Sequence, residues 1–255
     1  MPAQRGNGLS VLSVVVPAYN EVHCIRATLA GMIAYLSAKP YDFEIIVAAD
    51  GDDGTREAAL AVAEREPRVK VIGDKTRRGK GYAVRQGVLM AAGDVIGFVD
   101  ADYKTPISEF DKFEPFFAQG AQVVIGSRRL PKSVIEQAQP LYRRLGSRAF
   151  ALVMHVLMGL GDIPDTQCGF KFFSRTAAQE VFSRQRIDGY VFDVEILDLA
   201  VRAGYRIVQV PVRWHDDGDT RTNIVRSNAR SLVDVLRMRV RRRRRSAPPA
   251  DDMTH

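Results

Sequence analysis

The sequence is poor in the residues that staple small secreted folds. Its 255 residues include two cysteines, Cys24 and Cys168. Two isolated thiols make neither a disulfide framework nor a cysteine-based zinc site, so a reducing compartment is expected. The four histidines, His23, His155, His215 and His255, lack metal-ligand spacing. No Ser/His/Asp or Cys/His set points to nucleophilic catalysis. No run of about 20 apolar residues is present, as a membrane-spanning helix requires. The longest apolar stretch, Ala149 to Leu160, is interrupted by His155. Met1 to Ser10 is short and polar, without the apolar centre of a secretory signal. The expectation is a chain that touches a membrane without spanning it. A Walker loop is missing too, and so is any internal repeat.

The chain is 46% hydrophobic and 26% charged, an ordinary globular composition with enough length for one substantial core. Its net charge is +7, and seven arginines lie between Arg237 and Arg245. Without them the body is balanced, so the basic excess is local. Such a run binds something anionic or is simply solvated. It lacks interleaved aromatics and explains little of the α/β body, so a nucleic-acid partner is not expected.

Hydrophobic runs alternate with helical segments along the first half. Leu9 to Pro17 reads as a buried strand, and Asn20 is placed as the cap of a helix reaching Leu36. Phe43 to Ala49 is a second strand, followed by the turn at 50–54 and a helix to about Glu66. Val69 to Gly73 is a third. A helix opening at Gly79-Lys80-Gly81 leads to a fourth, Val95 to Val99. This alternation predicts an α/β fold with a mostly parallel sheet. Ligands in such sheets sit beyond the carboxyl ends of the strands. Residues 18–21, 50–53 and 100–102 fall at those ends.

The second half is less regular. Val123 to Gly126 and Ile207 to Val212 read as strands, and Pro140 to Met158 and Val191 to Ala203 as helices. Ile224 to Val240 carries apolar residues at helical spacing on one face. The expected organisation is a catalytic domain over 10–222, an amphipathic basic helix over 223–245 and a disordered tail over 246–255. Nothing in the pattern encodes an oligomeric state.

Asp100 and Asp102 are one residue apart and directly follow a buried strand. Two carboxylates so placed can turn toward one hard cation, and Mg²⁺ or Mn²⁺ favours such oxygen ligands together with phosphate oxygens. Asp50 ends the second strand, where it either accepts a hydrogen bond from a nucleobase or forms an Asx-turn. Lys80, at a helix start after Arg77 and Arg78, suits an anion or marks a glycine turn.

These motifs resemble a known family. SVVVPAYNE (13–21), ADGDDGT (49–55), RRGKGYAVRQG (77–87) and FVDAD (98–102) resemble the GT-A domain of glycosyltransferase family 2. DTQCGFKFF (165–173), YVFDVEIL (190–197) and VPVRWHDD (210–217) are similar to its dolichyl-phosphate β-glucosyltransferase branch and bacterial polyprenyl-phosphate relatives.

The resemblance implies a Rossmann-like GT-A fold and a nucleotide-sugar donor, with UDP favoured over GDP. It implies a polyprenyl phosphate acceptor at an anionic membrane surface on the cytoplasmic side. Pro17, Ala18, Tyr19, Asn20, Glu21, Asp50, Lys80, Asp100, Ala101 and Asp102 would hold the donor. Asp100 and Asp102 would hold the metal, and Arg128, Arg143, Arg144 and Lys171 the acceptor phosphate. Asp102, Arg128 and Lys171 would be the catalytic set.

A phosphate monoester is already largely anionic near neutral pH, so such an acceptor needs no general base. Asp193 and Glu195 are base candidates only for an alcohol acceptor; a structural role at a helix start is preferred. Two positions depart from the family. Ala49 stands where a first carboxylate is usual, and Lys104 where mannose synthases often carry a glutamine ligand. The metal is therefore expected to lean on water and diphosphate.

Overall fold

The computed structural model describes residues 9–135 and 160–215, together with Asp234 and Met238. Seven strands form one sheet in the order β3 (Val69–Ile72), β2 (Asp42–Asp50), β1 (Val11–Tyr19), β4 (Val95–Val99), β7 (Phe170–Ser174), β5 (Val123–Ser127), β8 (Ile207–Pro211). Its parallel half comprises β1 (Val11–Tyr19), β2 (Asp42–Asp50), β3 (Val69–Ile72) and β4 (Val95–Val99). The crossovers are α1 (Ile25–Ser37), α2 (Thr55–Ala63) and α3 (Lys80–Met90). The expected α/β architecture is therefore present.

Both faces of the sheet are covered, which is why its strands read as continuous apolar runs. Val14 and Val16 pack with Leu29, Met32, Ala58 and Ala59 on one face. The intervening Val15 packs with Val84 and Val88 on the other. Full burial of each valine, leucine or methionine side chain among them contributes about 1.5–3 kcal/mol.

The second half is built differently. A 3-10 helix (Ile107–Lys112) and α4 (Glu114–Ala118) precede β5 (Val123–Ser127). Next come the short β6 (Val134–Ile135), β7 (Phe170–Ser174), α5 (Arg175–Arg184), α6 (Phe192–Arg202), β8 (Ile207–Pro211) and β9 (Arg213–Trp214). β7 enters the sheet between β4 and β5 and runs antiparallel to both. Phe170 and Phe172 thereby meet Phe110 and Phe113, with ring centroids 4.7–5.7 Å apart. Such tilted and edge-on geometry is favoured by the ring quadrupoles. β6 and β9 pair beside the main sheet.

The helix expected to be capped by Asn20 begins five residues later. Cys24 occupies the cap position and makes no side-chain cap bond. Asn20 instead adopts φ 60°, a left-handed turn that asparagine tolerates better than most residues. The helix expected over 140–158, most of the basic helix over 223–245, the tail and the domain boundary at 222 lie outside the described residues. Asp234 and Met238 are helical, and Met238 is buried against the core face that holds α5 and α6.

Candidate functional site

The carboxyl ends of β1, β2, β4 and β5 open on one edge of the sheet. β1 delivers Pro17, Ala18, Tyr19, Asn20 and Glu21. The Arg77 guanidinium lies 4.2 Å from the centre of the Tyr19 ring. The loop after β1 is tied to the loop after β2: Glu21 N–H donates to Thr55 Oγ1 at 2.8 Å, and Val22 N–H to Asp53 at 3.3 Å.

Asp50 is not the Asx-turn residue. It is buried, and its carboxylate accepts the backbone N–H of Arg78 at 3.0 Å. The local turn is made by Asp53, which accepts the N–H and hydroxyl of Thr55 at 3.0 and 2.6 Å. Burial would raise the Asp53 carboxyl, but these bonds outweigh it and hold it below its usual range.

Asp100 and Asp102 lie just beyond β4. The Ala101 carbonyl accepts the Thr28 hydroxyl at 2.8 Å, which pins the loop to α1. Gly169 packs so tightly on Asp100 that a β-carbon there would collide with its carboxylate. Each carboxylate faces an ammonium. Lys80 Nζ is 2.6 Å from Asp100, and Lys104 Nζ is 3.6 Å from Asp102. Lys80 is the first residue of α3, whose cap Gly79 has φ 117° and sits hard against the Asp188 carbonyl. Only glycine fits that backbone. Burial lowers the Lys80 ammonium, yet Asp100 and then Asp193 outweigh it and raise it. The Asp102 carboxyl is pushed well above its ordinary range by burial and then by Asp100.

Asp100 and Asp102 fit a hard dication: both are oxygen donors, and their mutual repulsion is what a 2+ charge relieves. Among the described residues, no group of three or more His, Cys, Asp or Glu side chains is placed to hold a metal. The two carboxylates would be the protein's share of the ligands.

On the far side of β7 the expected acceptor residues divide. Arg128, just after β5, is gripped by Asp165, which accepts its backbone N–H at 2.9 Å and its Nε and Nη2 donors at 2.8 Å each. Burial would raise Asp165, but Arg128 holds it well below the carboxylate range. Lys171 is not at the surface where an acceptor would meet it. It is fully buried on β7, with Nζ 2.5 Å from Asp193 and 2.6 Å from the Cys168 carbonyl. Its side chain leaves the sheet toward Asp193 of α6, and the ammonium lies 5.5 Å from the centre of the Phe98 ring. Arg143 and Arg144 lie outside the described residues.

The two base candidates are structural. Asp193 is the buried partner of Lys171, and burial raises its carboxyl above the usual range. Glu195 accepts the N–H groups of Arg186 and Ile187 at 3.0 and 2.7 Å, fixing the loop that supports the start of α3. Cys168 is buried, its thiol pushed up to about 12 by burial and then by Asp165.

Sequence reasoning missed Asp165 as the partner of Arg128 and gave Trp214 no role. The indole lies 5.4 Å from the Arg128 guanidinium carbon and 5.8 Å from Lys104 Nζ. The signal was available, because Trp214 is the single tryptophan and ends a strand on the ligand edge.

The model of glycosyl transferase family 2 matches residues 13–182, spanning β1 to α5. The chain belongs to glycosyltransferase family 2. A dolichyl-phosphate β-glucosyltransferase of Dictyostelium discoideum is 32% identical over 243 residues, covering 90% of this chain and 74% of that protein. Dolichyl-phosphate β-glucosyltransferase ALG5C of Trichomonas vaginalis is 35% identical over 224 residues, or 82% of this chain. That match covers 65% of the T. vaginalis protein, so the chain spans just under two thirds of that relative's length.

Glucosyl-3-phosphoglycerate synthase of Mycobacterium tuberculosis, solved with Mn²⁺, UDP and phosphoglyceric acid, superposes with a TM-score of 0.68 at 22% identity. The superposition covers 90% of this chain and 78% of that one. At that identity the likeness establishes the shared fold of the family.

Proposed function

We propose that this family member is an inverting transferase that moves a sugar from a nucleotide-sugar to a polyprenyl phosphate. UDP-glucose is the favoured donor. The reading rests on one observation: a single sheet edge carries a pair of carboxylates at β4 and a rigidly held arginine at β5. Its relatives named dolichyl-phosphate β-glucosyltransferase support glucose as the sugar and a lipid phosphate as the acceptor.

In this reading residues 17–21 and Asp50 hold the nucleoside. Asp100 and Asp102 would hold Mg²⁺ or Mn²⁺, which would stabilise negative charge gathering on the leaving diphosphate. Lys80 neutralises the same region from the start of α3. Arg128 orients the acceptor phosphate, with Asp165 fixing its direction. Arg143 and Arg144 are proposed to assist. Lys171 acts through Asp193 as a positioning residue. A largely dianionic phosphate attacks without a protein base.

A lipid acceptor brings the enzyme to an anionic, cytoplasmic membrane face. The catalytic unit is assigned to 10–222. The basic segment 223–245 makes the peripheral contact, each arginine near the surface adding about 1 kcal/mol. The remaining residues, 246–255, are a tail. Among the described residues, no helix is long and apolar enough to cross a membrane.

The decisive experiment offers UDP-sugars and GDP-sugars with a polyprenyl phosphate and Mg²⁺ or Mn²⁺. UDP-glucose with lipid-linked glucose as product is the expected outcome. Product from GDP-mannose alone, or only on a soluble acceptor, overturns the donor or acceptor assignment.

A further inference from the structure

Asp102 stands between two residues that are both held against α1. Before it, the carbonyl of the buried Ala101 accepts the Thr28 hydroxyl at 2.8 Å. After it, the Tyr103 ring packs over Gly31: a β-carbon added at Gly31 would stand 3.6 Å from the ring. Thr28 and Gly31 are three residues apart in α1, so they share one face of that helix. A third tie runs to the 3-10 helix, where the Ile107 N–H donates to the Tyr103 hydroxyl at 3.3 Å. The turn itself is closed by the Tyr103 N–H, which donates to the Asp100 carbonyl at 3.1 Å.

The backbone of Tyr103 is the unusual part. Its φ is 56°, and among the described residues Asn20 is the only other non-glycine with a positive φ. Asparagine tolerates that conformation. A residue with a bulky side chain adopts it only where its surroundings over-determine it. The seat on α1, the hydroxyl bond and the packing of the ring against the core are those surroundings.

We propose that Tyr103 is a positioning residue for the dication site: with Thr28 it brackets Asp102, so that the Asp100 and Asp102 carboxylates stay turned toward one ion. The inference rests on the reading of Asp100 and Asp102 as metal ligands. Like charges this close repel, and an unanchored turn would relieve the repulsion by letting the two side chains diverge. A turn held from outside, in a conformation its own side chain disfavours, keeps the pair together. Groups fixed in this way lose less freedom on binding than mobile ones.

The test is a Mn²⁺ titration of the full chain and its variants, read as the loss of the free-ion electron paramagnetic resonance signal. Asp102→Asn is the reference for a chain that lacks one of the two ligands. Tyr103→Gly and Tyr103→Asn take up a positive φ more readily than tyrosine but carry no ring. Each is expected to weaken Mn²⁺ about tenfold, as loss of a residue that orients a metal ligand commonly does. Tyr103→Phe keeps the ring and stays within about threefold of the parent, because it gives up one neutral hydrogen bond. Thr28→Val keeps the shape of its side chain, cuts the other pin and weakens Mn²⁺ about threefold.

Parent-like Mn²⁺ affinity in Tyr103→Gly overturns the proposal and leaves the metal site and the function reading intact. A Tyr103→Phe chain as weak as Tyr103→Gly overturns the role of the ring. A parent chain that binds Mn²⁺ no better than Asp102→Asn overturns the metal site itself, and this inference with it. Thermal melts accompany each titration. Should Tyr103→Gly and Tyr103→Asn melt below the titration temperature, Thr28→Val decides, and parent-like affinity there overturns the bracket.

Discussion

Strands β1, β2 and β4 end very differently at their two edges. At the amino edge, Glu44 accepts the Ser13 hydroxyl at 2.6 Å, the Ala92 N–H at 2.6 Å and the Lys70 ammonium at 2.7 Å. Asp94 there accepts the N–H groups of Ser10 and Val11. Burial would raise Glu44, but these donors outweigh it and lower it. At the carboxyl edge the carboxyl of Asp102 moves the other way, raised by burial and then by Asp100. One edge is organised so that each charge stabilises the fold. The other keeps like charges together, which costs stability and suits a cationic ligand.

The largest effect should come from cutting at the crowded edge. Asp102→Asn is expected to lower transfer by about 10³-fold or more, roughly 4 kcal/mol of barrier. The melting temperature should hold or rise, since a repulsive charge is gone. Turnover and scanning calorimetry on one preparation check both halves. Undiminished turnover would remove Asp102 from the chemistry.

The opposite signature is expected at the amino edge. Glu44→Gln should cost about 1–3 kcal/mol of stability, because buried donors lose a charged acceptor. Turnover per folded molecule should stay at the parent level. If activity fell as steeply as stability, the two edges would not be separable.

Acidification sharpens the contrast. The folded-state pKa of Glu44 is depressed, so its contribution is fully present above its unfolded value near 4.3. It is lost as the pH falls through that value and then through the folded one. Denaturant unfolding should therefore show a gap between the parent chain and Glu44→Gln that is full at pH 7 and closes below about pH 4.

The smallest effect concerns the backbone. Asn20 holds φ 60° at the carboxyl edge. Asn20→Gly should change stability by no more than about 0.5 kcal/mol, while Asn20→Val should cost about 1–2 kcal/mol. Melts of the two variants side by side decide whether the left-handed turn is required.

The parallel half was legible because periodicity and topology speak together there. Val15 and its neighbours read as strand, and the carboxyl-end rule then located residues 18–21, 50–53 and 100–102. The antiparallel half was not. DTQCGFKFF mixes polar and aromatic residues, and nothing local says that Phe170 to Ser174 enters the sheet between two distant strands. Lys171 lies in that segment too: its sequence offers a cation for an acceptor phosphate, and nothing local says that it is buried against Asp193, 22 positions away. The Arg128–Asp165 clamp spans 37 positions and leaves no local trace. Asn20 looked like a helix cap because its residue type serves caps and left-handed turns alike.

The late insertion of β7 also bears on how the molecule is made. The end of β4 leaves a ribosome some seventy residues before β7, and the end of β5 just over forty. Until Phe170 to Ser174 emerge, the edges of β4 and β5 that β7 will join stay open, and Phe110 and Phe113 lack the rings that later cover them. Open edges with uncovered aromatics invite pairing with other chains. A nascent polypeptide of this kind would need shelter over that interval, and premature termination shortly before residue 170 would yield a sticky product rather than a smaller folded one.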